Sequence, residues 1–342
     1  MVPVHRILGQ TGIRVPSVIF GTSCLGNLYT EIPLPTKLAT MREMFRQTPP
    51  PVALDTAGKY GAGLALEVIG QSLRQLAIAP HDVVISNKLG WYRVPLRAPE
   101  PTFERGVWAG IEHDAESRIS YAGIHACWEQ GCQLLGAPYR PALVSVHDPD
   151  EYLAPDPAGR WADVRGAYRA LFELKSRGAV QAIGIGAKDW RVIQAVANEV
   201  PLDWVMLACS LTVYSHPPEL LNFIASLHAR GVAIINSAVF HAGFLTGGPW
   251  FDYRKPDPRQ DAALFAWREK FHAICRQFAV EPAAACVQFG LAVPGIIAVA
   301  LNTSQPARIA ANLANAQAVI PAEFWRALKT ANLLGHNFVY RG

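Results

Sequence analysis

Eight short apolar runs, separated by segments with helical spacing, constrain the fold more than any other feature of this sequence. The runs lie at residues 18–20, 52–55, 83–88, 142–147, 182–186, 204–208, 232–236 and 296–301. Runs that are apolar along their whole length are typical of strands buried on both faces, and such strands form parallel sheets. Eight strand-helix units over 342 residues favour a closed (β/α)8 TIM barrel, in one domain spanning 1–342, over an open doubly wound sheet.

The segments between the runs carry apolar residues at intervals of three and four, which predicts helices. These helices are predicted at 36–45, 64–76, 121–135, 164–175, 192–197, 220–229 and 262–278. No Gly-x-Gly-x-x-Gly turn follows the first strand, which counts against a Rossmann domain. A Gln10-Thr11-Gly12 turn predicts a β-hairpin over 4–16, before the barrel.

One stretch, 283–301, is apolar enough to suggest a membrane helix. Gln288 and the Pro294-Gly295 break divide it, so we interpret it as a buried helix followed by a buried strand. Hydrophobic residues at 51% with charged residues at 17% are typical of a globular protein rather than a disordered one, and no membrane association is expected. The net charge of +4 comes without any Lys/Arg run longer than a pair, so a nucleic-acid partner is not expected.

The six cysteines form no Cys-x-x-Cys pair, and residues 1–10 contain no apolar signal core. We therefore expect free thiols and a cytoplasmic protein. The sequence contains no heptad repeat or other assembly signal, which leaves the oligomeric state open.

Three connections that follow predicted strands are long, at 91–120, 148–163 and 240–259. Connections that follow barrel strands lie over the carboxyl end of the barrel, and long ones are usually functional. The first and third are rich in aromatic residues, namely Trp91, Tyr92, Phe103 and Trp108, and Phe240, Phe244, Trp250, Phe251 and Tyr253. These side chains would form a lid or a sugar-stacking wall, or they would merely cover the barrel.

Four polar side chains stand at or just beyond the ends of the second, third and fourth strands: Asp55, Tyr60, Lys88 and His147. A tyrosine with a pKa of about 10 is a poor acid or base, and lowering that pKa to about 7 takes roughly 4 kcal/mol. We expect the ammonium of Lys88 to supply this, with Asp55 holding the lysine charged. His147 would donate a hydrogen bond to a substrate oxygen shared with Tyr60.

Each of these residues also has a simpler explanation. Asp55 alone could cap a helix and Lys88 alone could be a surface charge, but the four together are better explained by a catalytic site. His147 with Asp148 and Asp150 suggests a metal site, yet no second histidine stands at ligand spacing, so no metal is expected there.

The order and spacing of these motifs resemble those of the aldo-keto reductase superfamily. The resemblance rests on the hairpin Leu8-Gly9-Gln10-Thr11-Gly12, Asp55-Thr56-Ala57 with Tyr60-Gly61, Lys88, Val146-His147 and the late Arg308-Ile309-x-x-Asn312. It covers nearly the whole chain and implies a nicotinamide-dependent oxidoreductase with Tyr60 as general acid/base. The stretches 147–150 and 236–245 resemble the branch that holds L-fucose and D-threo-aldose 1-dehydrogenases, L-galactose dehydrogenase and pyridoxal 4-dehydrogenase.

The resemblance also implies a cofactor site. Asn302, Thr303 and Ser304 follow the eighth strand, and a helix from Gln305, with Ser304 as its N-cap, would present backbone N–H groups to phosphate. Arg308 and Asn312 would contact the adenine. The remaining implied contacts are Gly21, Thr22, Asp55, Ser210, Ser237 and Phe240.

Two departures from the family pattern bear on the cofactor. Asn302 stands where relatives that prefer NADPH usually carry a lysine, so NAD is favoured, although Arg308 keeps NADP possible. Gly184-Ile185-Gly186-Ala187-Lys188 replaces the stretch that usually clamps the nicotinamide carboxamide, so that contact is expected from Lys188 or Ser210.

Three functions follow from the resemblance. The first is oxidation of a small aldose at C1 to the lactone, with Trp91, His147 and Asp148 contacting the substrate. The second is an oxidoreductase acting on pyridoxal or another aldehyde. The third is a regulatory subunit that senses nicotinamide state without turnover.

Overall fold

A computed structural model of the chain describes residues 5–252, 254–335 and 338, so Tyr253 of the predicted aromatic loop lies outside the described residues. The strands are β1 His5–Ile7, β2 Arg14–Pro16, β3 Val18–Gly21, β4 Val52–Ala57, β5 Val83–Leu89, β6 Trp91–Pro95, β7 His113–Ser117, β8 Leu143–His147, β9 Ala182–Ala187, β10 Trp204–Ala208, β11 Ala233–Ser237 and β12 Ile296–Leu301. The helices are α1 Leu34–Gln47, α2 Leu64–Gln75, α3 Tyr121–Leu135, α4 Pro149–Leu153, α5 Pro157–Ser176, α6 Trp190–Glu199, α7 Pro218–Ala229, α8 Ala262–Gln277, α9 Pro282–Ala292, α10 Arg308–Asn315 and α11 Ala322–Thr330.

Eight parallel strands close into a barrel in the order β3, β4, β5, β8, β9, β10, β11 and β12, and β12 pairs back to β3. Each of the eight coincides with a predicted apolar run to within a few residues at either end. The TIM-barrel prediction is therefore confirmed. Apolar runs work as a signal here because strands such as β4 and β8 are buried along their whole length, facing the barrel interior on one side and helices on the other.

The predicted hairpin is also present, and it closes the amino-terminal end of the barrel. Strands β1 and β2 pair antiparallel, and Leu8 between them is fully buried. Arg6 donates to the carbonyl of Ile296, at the start of β12, at 3.0 Å. A side chain at Gly9 would lie 2.9 Å from the carbonyl oxygen of Asp203, which precedes β10. Because this end is covered, the carboxyl ends of the strands form the accessible mouth.

The stretch 283–301 is a buried helix followed by a strand, as predicted: α9 and then β12. Across the part of the chain that is described, no helix combines the length and apolarity that crossing a bilayer requires.

Three details of the sequence prediction are wrong. The connection 148–163 is not a long loop, because α4 and the first turns of α5 occupy most of it. Helix α5 begins at Pro157 rather than 164, since Asp156 caps it by accepting a hydrogen bond from the backbone of Gly159 at 3.0 Å. Helix α10 begins at Arg308 with Ala307 at the N-cap position, so Ser304 is not its cap. The hydroxyl of Thr303 instead accepts from the backbone of Gln305 at 3.2 Å, in a turn before the helix.

Candidate active site

Barrel pairing brings the four predicted catalytic residues to one mouth. Asp55 lies in β4, Lys88 lies in β5 and His147 is the last residue of β8, and these three strands are neighbours in the barrel. Tyr60 follows β4 in the turn that leads into α2. Because neighbouring parallel strands end at the same rim, residues far apart in sequence meet there.

Asp55 and Lys88 form a buried ion pair between Oδ2 and Nζ. The hydroxyl of Ser86 donates to the other carboxylate oxygen, Oδ1, at 3.2 Å. Both charged residues are 3% exposed. Burial lowers the pKa of Lys88, but the Asp55 carboxylate and Tyr60 together raise that pKa by more, so the lysine stays protonated. This is the role predicted for Asp55.

The Lys88 Nζ lies 4.7 Å from the centre of the Tyr60 ring. Burial raises the pKa of the Tyr60 phenol, and the ammonium of Lys88 opposes that rise without cancelling it. The expectation of a net lowering of the Tyr60 pKa is therefore wrong, because burial of the phenolate and the nearby Asp55 charge outweigh the ammonium. The resting side chain is a protonated phenol.

His147 completes the group. Its ring stands edge-on to that of Tyr60 with the centroids 5.8 Å apart. Burial, together with the charges of Lys88 and Lys59, holds the pKa of His147 well below its usual value, so the imidazole is neutral. Nδ1 has no hydrogen-bond partner within the described residues, and Nε2 lies 3.5 Å from Oδ2 of Asp148. A neutral ring can donate one hydrogen bond to a substrate oxygen.

Two glycines fix the turn that carries Tyr60. Gly26 lies in a short 3-10 helix after β3, and a Cβ on it would come within 2.6 Å of the Tyr60 carbonyl carbon. A Cβ on Gly61, at φ +62°, would lie 2.4 Å from the carbonyl oxygen of Gly26. The two backbones therefore touch without intervening side chains, and the phenol is positioned by that contact.

Lys59, next to Tyr60, was not predicted as a site residue. It is 2% exposed, and its Nζ forms ion pairs with Asp148 Oδ2 at 3.0 Å, Glu151 Oε2 at 2.8 Å and Glu104 Oε1 at 2.7 Å. Asp148 follows β8 directly, beside His147. The ammonium thus joins the tyrosine turn to the segment that carries the histidine.

The third partner, Glu104, extends this junction to the long connection after β5. The Trp108 indole donates to Glu104 at 2.8 Å, and the Trp108 ring packs on Tyr60 with centroids 5.9 Å apart. No motif marks a lysine that will be buried by three carboxylates from two distant segments. The available signal was the cluster of acidic residues after β8, namely Asp148, Asp150 and Glu151.

A cavity of about 570 Å³ opens at this mouth and reaches from the four catalytic residues to the start of α10. Of the predicted cofactor contacts, the cavity is lined by Gly21, Asp55, Ser237, Phe240, Asn302, Thr303, Ser304, Arg308 and Asn312. Of the predicted substrate contacts, it is lined by His147 and Asp148. Lys188, one of the two residues expected to contact the carboxamide, also lines the cavity. So do residues that sequence reasoning missed, including Tyr29, Cys209 and Asp252.

Three predicted contacts do not line the cavity. The Thr22 hydroxyl is buried and donates to the carbonyl of Asp55 at 2.9 Å. Ser210 donates to the carbonyls of Lys188 and Ala208, at 2.5 and 3.0 Å. Trp91 lies behind Lys59, whose Nζ is 4.8 Å from its ring centre. The first two support neighbouring backbone, and Trp91 packs against Phe103 with centroids 5.8 Å apart.

The lining suits a dinucleotide. The end of the cavity near α10 carries hydroxyl and amide groups and one cation, the guanidinium of Arg308. Such donors bind phosphate and ribose oxygens. The other end is open beside Lys88, because Gly186 has no side chain, and a Cβ there would lie 3.2 Å from Lys88 Cδ. A flat ring and a substrate oxygen can therefore approach the four catalytic residues from within the same cavity.

The fold and these four side chains define a (β/α)8 barrel with four ionisable groups gathered in one cavity at the carboxyl ends of its strands. The sequence matches the profile of the Aldo/keto reductase family over residues 17–333, and the chain belongs to that family. The family consists of oxidoreductases that use nicotinamide cofactors.

Three relatives span most of this chain at low identity. Pyridoxal 4-dehydrogenase of Microbacterium luteolum is 28% identical, with 96% of this chain and 97% of the relative covered. D-threo-aldose 1-dehydrogenase of a Pseudomonas species is 27% identical, with coverage of 94% and 96%. L-galactose dehydrogenase of Arabidopsis thaliana is 24% identical, with coverage of 90% and 86%. All three belong to the branch that the sequence motifs indicated.

Solved structures agree with the fold. An aldo-keto reductase of Bacillus halodurans in its holo form superposes with a TM-score of 0.71 at 19% identity, covering 98% of each chain. A glycerol dehydrogenase of Gluconobacter oxydans superposes with a TM-score of 0.70 at 17% identity, covering 99% of this chain and 98% of the other.

Proposed function

We propose that this protein is an NAD(P)-dependent dehydrogenase that oxidises a small aldose at C1 to the lactone. The observation that carries the proposal is the convergence of Asp55, Tyr60, Lys88 and His147 in the same cavity as the Asn302 and Arg308 segment. A nicotinamide dinucleotide bound there would supply the hydride acceptor. The chain itself must then bind the sugar, remove one proton and exclude water.

Tyr60 is the proton acceptor in the oxidative direction. As the hydroxyl carbon loses hydride, the hydroxyl oxygen loses its proton to the Tyr60 phenolate, and a carbonyl forms. Lys88 stabilises the phenolate by its charge, and Asp55 keeps Lys88 protonated. The neutral His147 donates to the same substrate oxygen and holds it against Tyr60. In the reverse direction the protonated Tyr60 returns the proton.

The cavity wall supports a polyhydroxylated substrate. Asp148, Lys188 and Asp252 line it together with the four catalytic residues, and such groups pair with sugar hydroxyls. Aldoses exist in water largely as cyclic hemiacetals, so removal of hydride and a proton at C1 leads directly to a lactone.

Pyridoxal is the second candidate. Its aldehyde stands beside a hydroxymethyl group and closes into the same kind of cyclic hemiacetal, so one active site chemistry serves both substrates. The observation that favours it is an aromatic wall: Tyr29 lines the cavity and stacks on Trp250 with ring centroids 4.4 Å apart. A pyridine ring would pack there as well as a sugar ring would.

We further propose NAD as the preferred cofactor. The lysine and arginine residues that line the cavity are Lys88, Lys188 and Arg308, and Lys88 lies beside Tyr60. Asn302 carries no charge, and its amide donates to the hydroxyl of Ser23 at 2.8 Å. A site with Asn302 has one cation fewer than a site with lysine at this position. That loss weakens binding of the 2′-phosphate of NADP more than binding of the ribose hydroxyl of NAD.

The test is a panel of L-fucose, D-arabinose, L-galactose and pyridoxal, each with NAD and with NADP, followed by absorbance of the reduced cofactor. Sustained turnover with an aldose supports the first candidate, and turnover with pyridoxal alone replaces it with the second. Cofactor binding without turnover on any aldehyde or aldose would indicate a nicotinamide-sensing subunit and overturn the proposal.

A further inference from the structure

Three side chains from two connections meet beside the cavity: Cys209 after β10, and His241 and Asp252 in the connection that follows β11. Cys209 and Asp252 line the cavity, and His241 lies behind them. The Cys209 thiol donates to Asp252 Oδ1 at 3.1 Å. His241 Nδ1 lies 3.0 Å from both carboxylate oxygens of Asp252. All the donor atoms lie within 4.8 Å of one another.

The proton-transfer chemistry does not use this cluster, yet the backbone is strained to form it. Cys209, His241 and Asp252 have φ angles of 59°, 47° and 44°, in the left-handed region that residues other than glycine rarely adopt. Each such residue lowers the stability of the folded chain. The rest of the connection must offset that cost.

The donor set is one that zinc prefers. Thiolate, imidazole and carboxylate are its three common protein ligands, and tetrahedral coordination places N and O about 3.4 Å apart and S and O about 3.6 Å apart. The observed separations of 3.0 and 3.1 Å are those of hydrogen bonds, and each would widen by about half an ångström to admit the ion.

The surroundings of His241 match those of a metal-binding histidine. Its Nε2 lies 2.9 Å from the hydroxyl oxygen of the buried Thr212, and its ring stacks on Phe251 at 4.5 Å with an interplanar angle of 5°. An ion on Nδ1 requires the ring proton on Nε2, where Thr212 accepts it. This contact holds the ring orientation in either tautomer, because the Thr212 hydroxyl can donate to Nε2 or accept from it.

A fourth coordination position would face the cavity. Cys209 and Asp252 both line the cavity, and the Asp252 side chain is 30% exposed whereas that of His241 is 4% exposed. Three protein ligands with an open position are typical of zinc sites that take water or a substrate oxygen as the fourth ligand.

We propose that Cys209, His241 and Asp252 form a binding site for a divalent zinc-type ion in the wall of the catalytic cavity. The three side chains hold one another by hydrogen bonds when no ion is bound, so the site exists before the ion arrives. A water molecule or a substrate hydroxyl oxygen would complete the coordination.

The test is titration of the full chain with Co²⁺ after treatment with a chelator. The expected result is saturation at one equivalent, with the visible bands of tetrahedral cobalt and a near-ultraviolet thiolate-to-cobalt band that Zn²⁺ abolishes. Cys209→Ser should remove the thiolate band, and Asp252→Asn should weaken binding at least tenfold. Cys132→Ser, which removes a half-buried thiol away from the cluster, should leave the spectrum unchanged.

Thermal unfolding separates loss of the site from loss of the fold. Zn²⁺ should raise the melting temperature of the wild type and of Cys132→Ser but not of Cys209→Ser or Asp252→Asn. Absence of stoichiometric binding, or a thiolate band that persists in Cys209→Ser, would overturn the proposal and leave a hydrogen-bonded triad. Neither the cobalt spectrum nor the melting temperature depends on turnover, so failure of the metal site can be told apart from failure of the proposed dehydrogenase function.

Discussion

Lys88 Nζ lies 4.7 Å from the centre of the Tyr60 ring while it forms a buried ion pair with Asp55. The ammonium is therefore held beside the phenol by a carboxylate that is itself sequestered from water. This arrangement lets one lysine lower the cost of a buried phenolate without adding a mobile charge to the cavity. It is the physical basis of the proton transfer proposed above.

The first prediction concerns pH. Burial keeps the pKa of Tyr60 above its usual value, so the phenolate needed for oxidation is scarce at neutral pH. We expect kcat/KM for oxidation to rise with pH above neutrality, and kcat/KM for reduction to stay level until the pH approaches the pKa of Tyr60 and then to fall. Initial rates across a pH series in both directions check this. An oxidation rate independent of pH would mean that Tyr60 is not the base.

The second prediction concerns Lys88. Lys88→Met should lower turnover by about 10²-fold or more and move the alkaline limb of the pH profile upward, because the phenolate loses its counter-charge. The single variant leaves Asp55 buried without a partner, which destabilises proteins by about 3–5 kcal/mol. The double variant Asp55→Asn with Lys88→Met leaves no unpaired carboxylate. The pH profile is therefore measured on the single and on the double variant. An unshifted profile in the folded double variant would contradict the role of Lys88.

The third prediction concerns Lys59. Without its ammonium, Asp148 is free to pair with His147 Nε2, 3.5 Å away, and the pKa of His147 should rise. NMR titration of the His147 ring in Lys59→Gln checks this. Lys175→Gln is the control, since it removes a lysine that pairs with Asp203 at 2.6 Å, well away from the mouth. If both variants leave the His147 titration unchanged, Lys59 is purely structural.

The fourth prediction concerns cofactor choice. Asn302→Lys should raise kcat/KM with NADP relative to NAD by about tenfold, because a second cation would stand beside Arg308. Steady-state kinetics with both cofactors measure the ratio. Ala310→Lys adds the same charge on an exposed position of α10 that does not line the cavity, and it should leave the ratio unchanged. Equal shifts in both variants would show that Asn302 does not contact the 2′ position.

The fifth prediction concerns the turn that carries Tyr60. Gly26→Ala would force a methyl group to within 2.6 Å of the Tyr60 backbone, so we expect lower turnover and a loss of about 1–3 kcal/mol in the free energy of unfolding. Gly335→Ala is the matched control, because its Cβ would meet only ordinary contacts at 3.7 Å. Urea denaturation and initial rates measure both effects. Wild-type turnover in Gly26→Ala would show that the glycine contact does not position Tyr60.

The barrel was predictable because burial on both faces makes each strand apolar throughout, and the helices between strands carry their own periodicity. The meeting of the four predicted catalytic residues could be foreseen for a related reason: Asp55, Lys88 and His147 lie at or near the carboxyl ends of adjacent barrel strands, and such ends meet. The N-terminal caps of the helices were harder to predict. Asp156 precedes a proline and caps α5, whereas Ser304 looks like a cap but is followed by a turn.

The rest of the site depends on contacts that spacing does not encode. Lys59 appears in sequence as an ordinary charged residue, and its burial follows only from three carboxylates that two separate segments bring to it. The net direction of the Tyr60 pKa likewise depends on how fully the phenol is buried, which motif spacing does not report. Ser210 and Thr22 lie at the expected strand ends but turn their hydroxyls to backbone carbonyls.

The most direct measurement of the central claim compares Tyr60→Phe with the wild type, using the best substrate of the panel and the dissociation constant of the cofactor. The substitution removes only the hydroxyl, and the phenyl ring keeps its packing against Trp108. We predict that turnover falls by about 10²- to 10⁴-fold while cofactor affinity is unchanged. Near wild-type turnover in this variant would contradict the account.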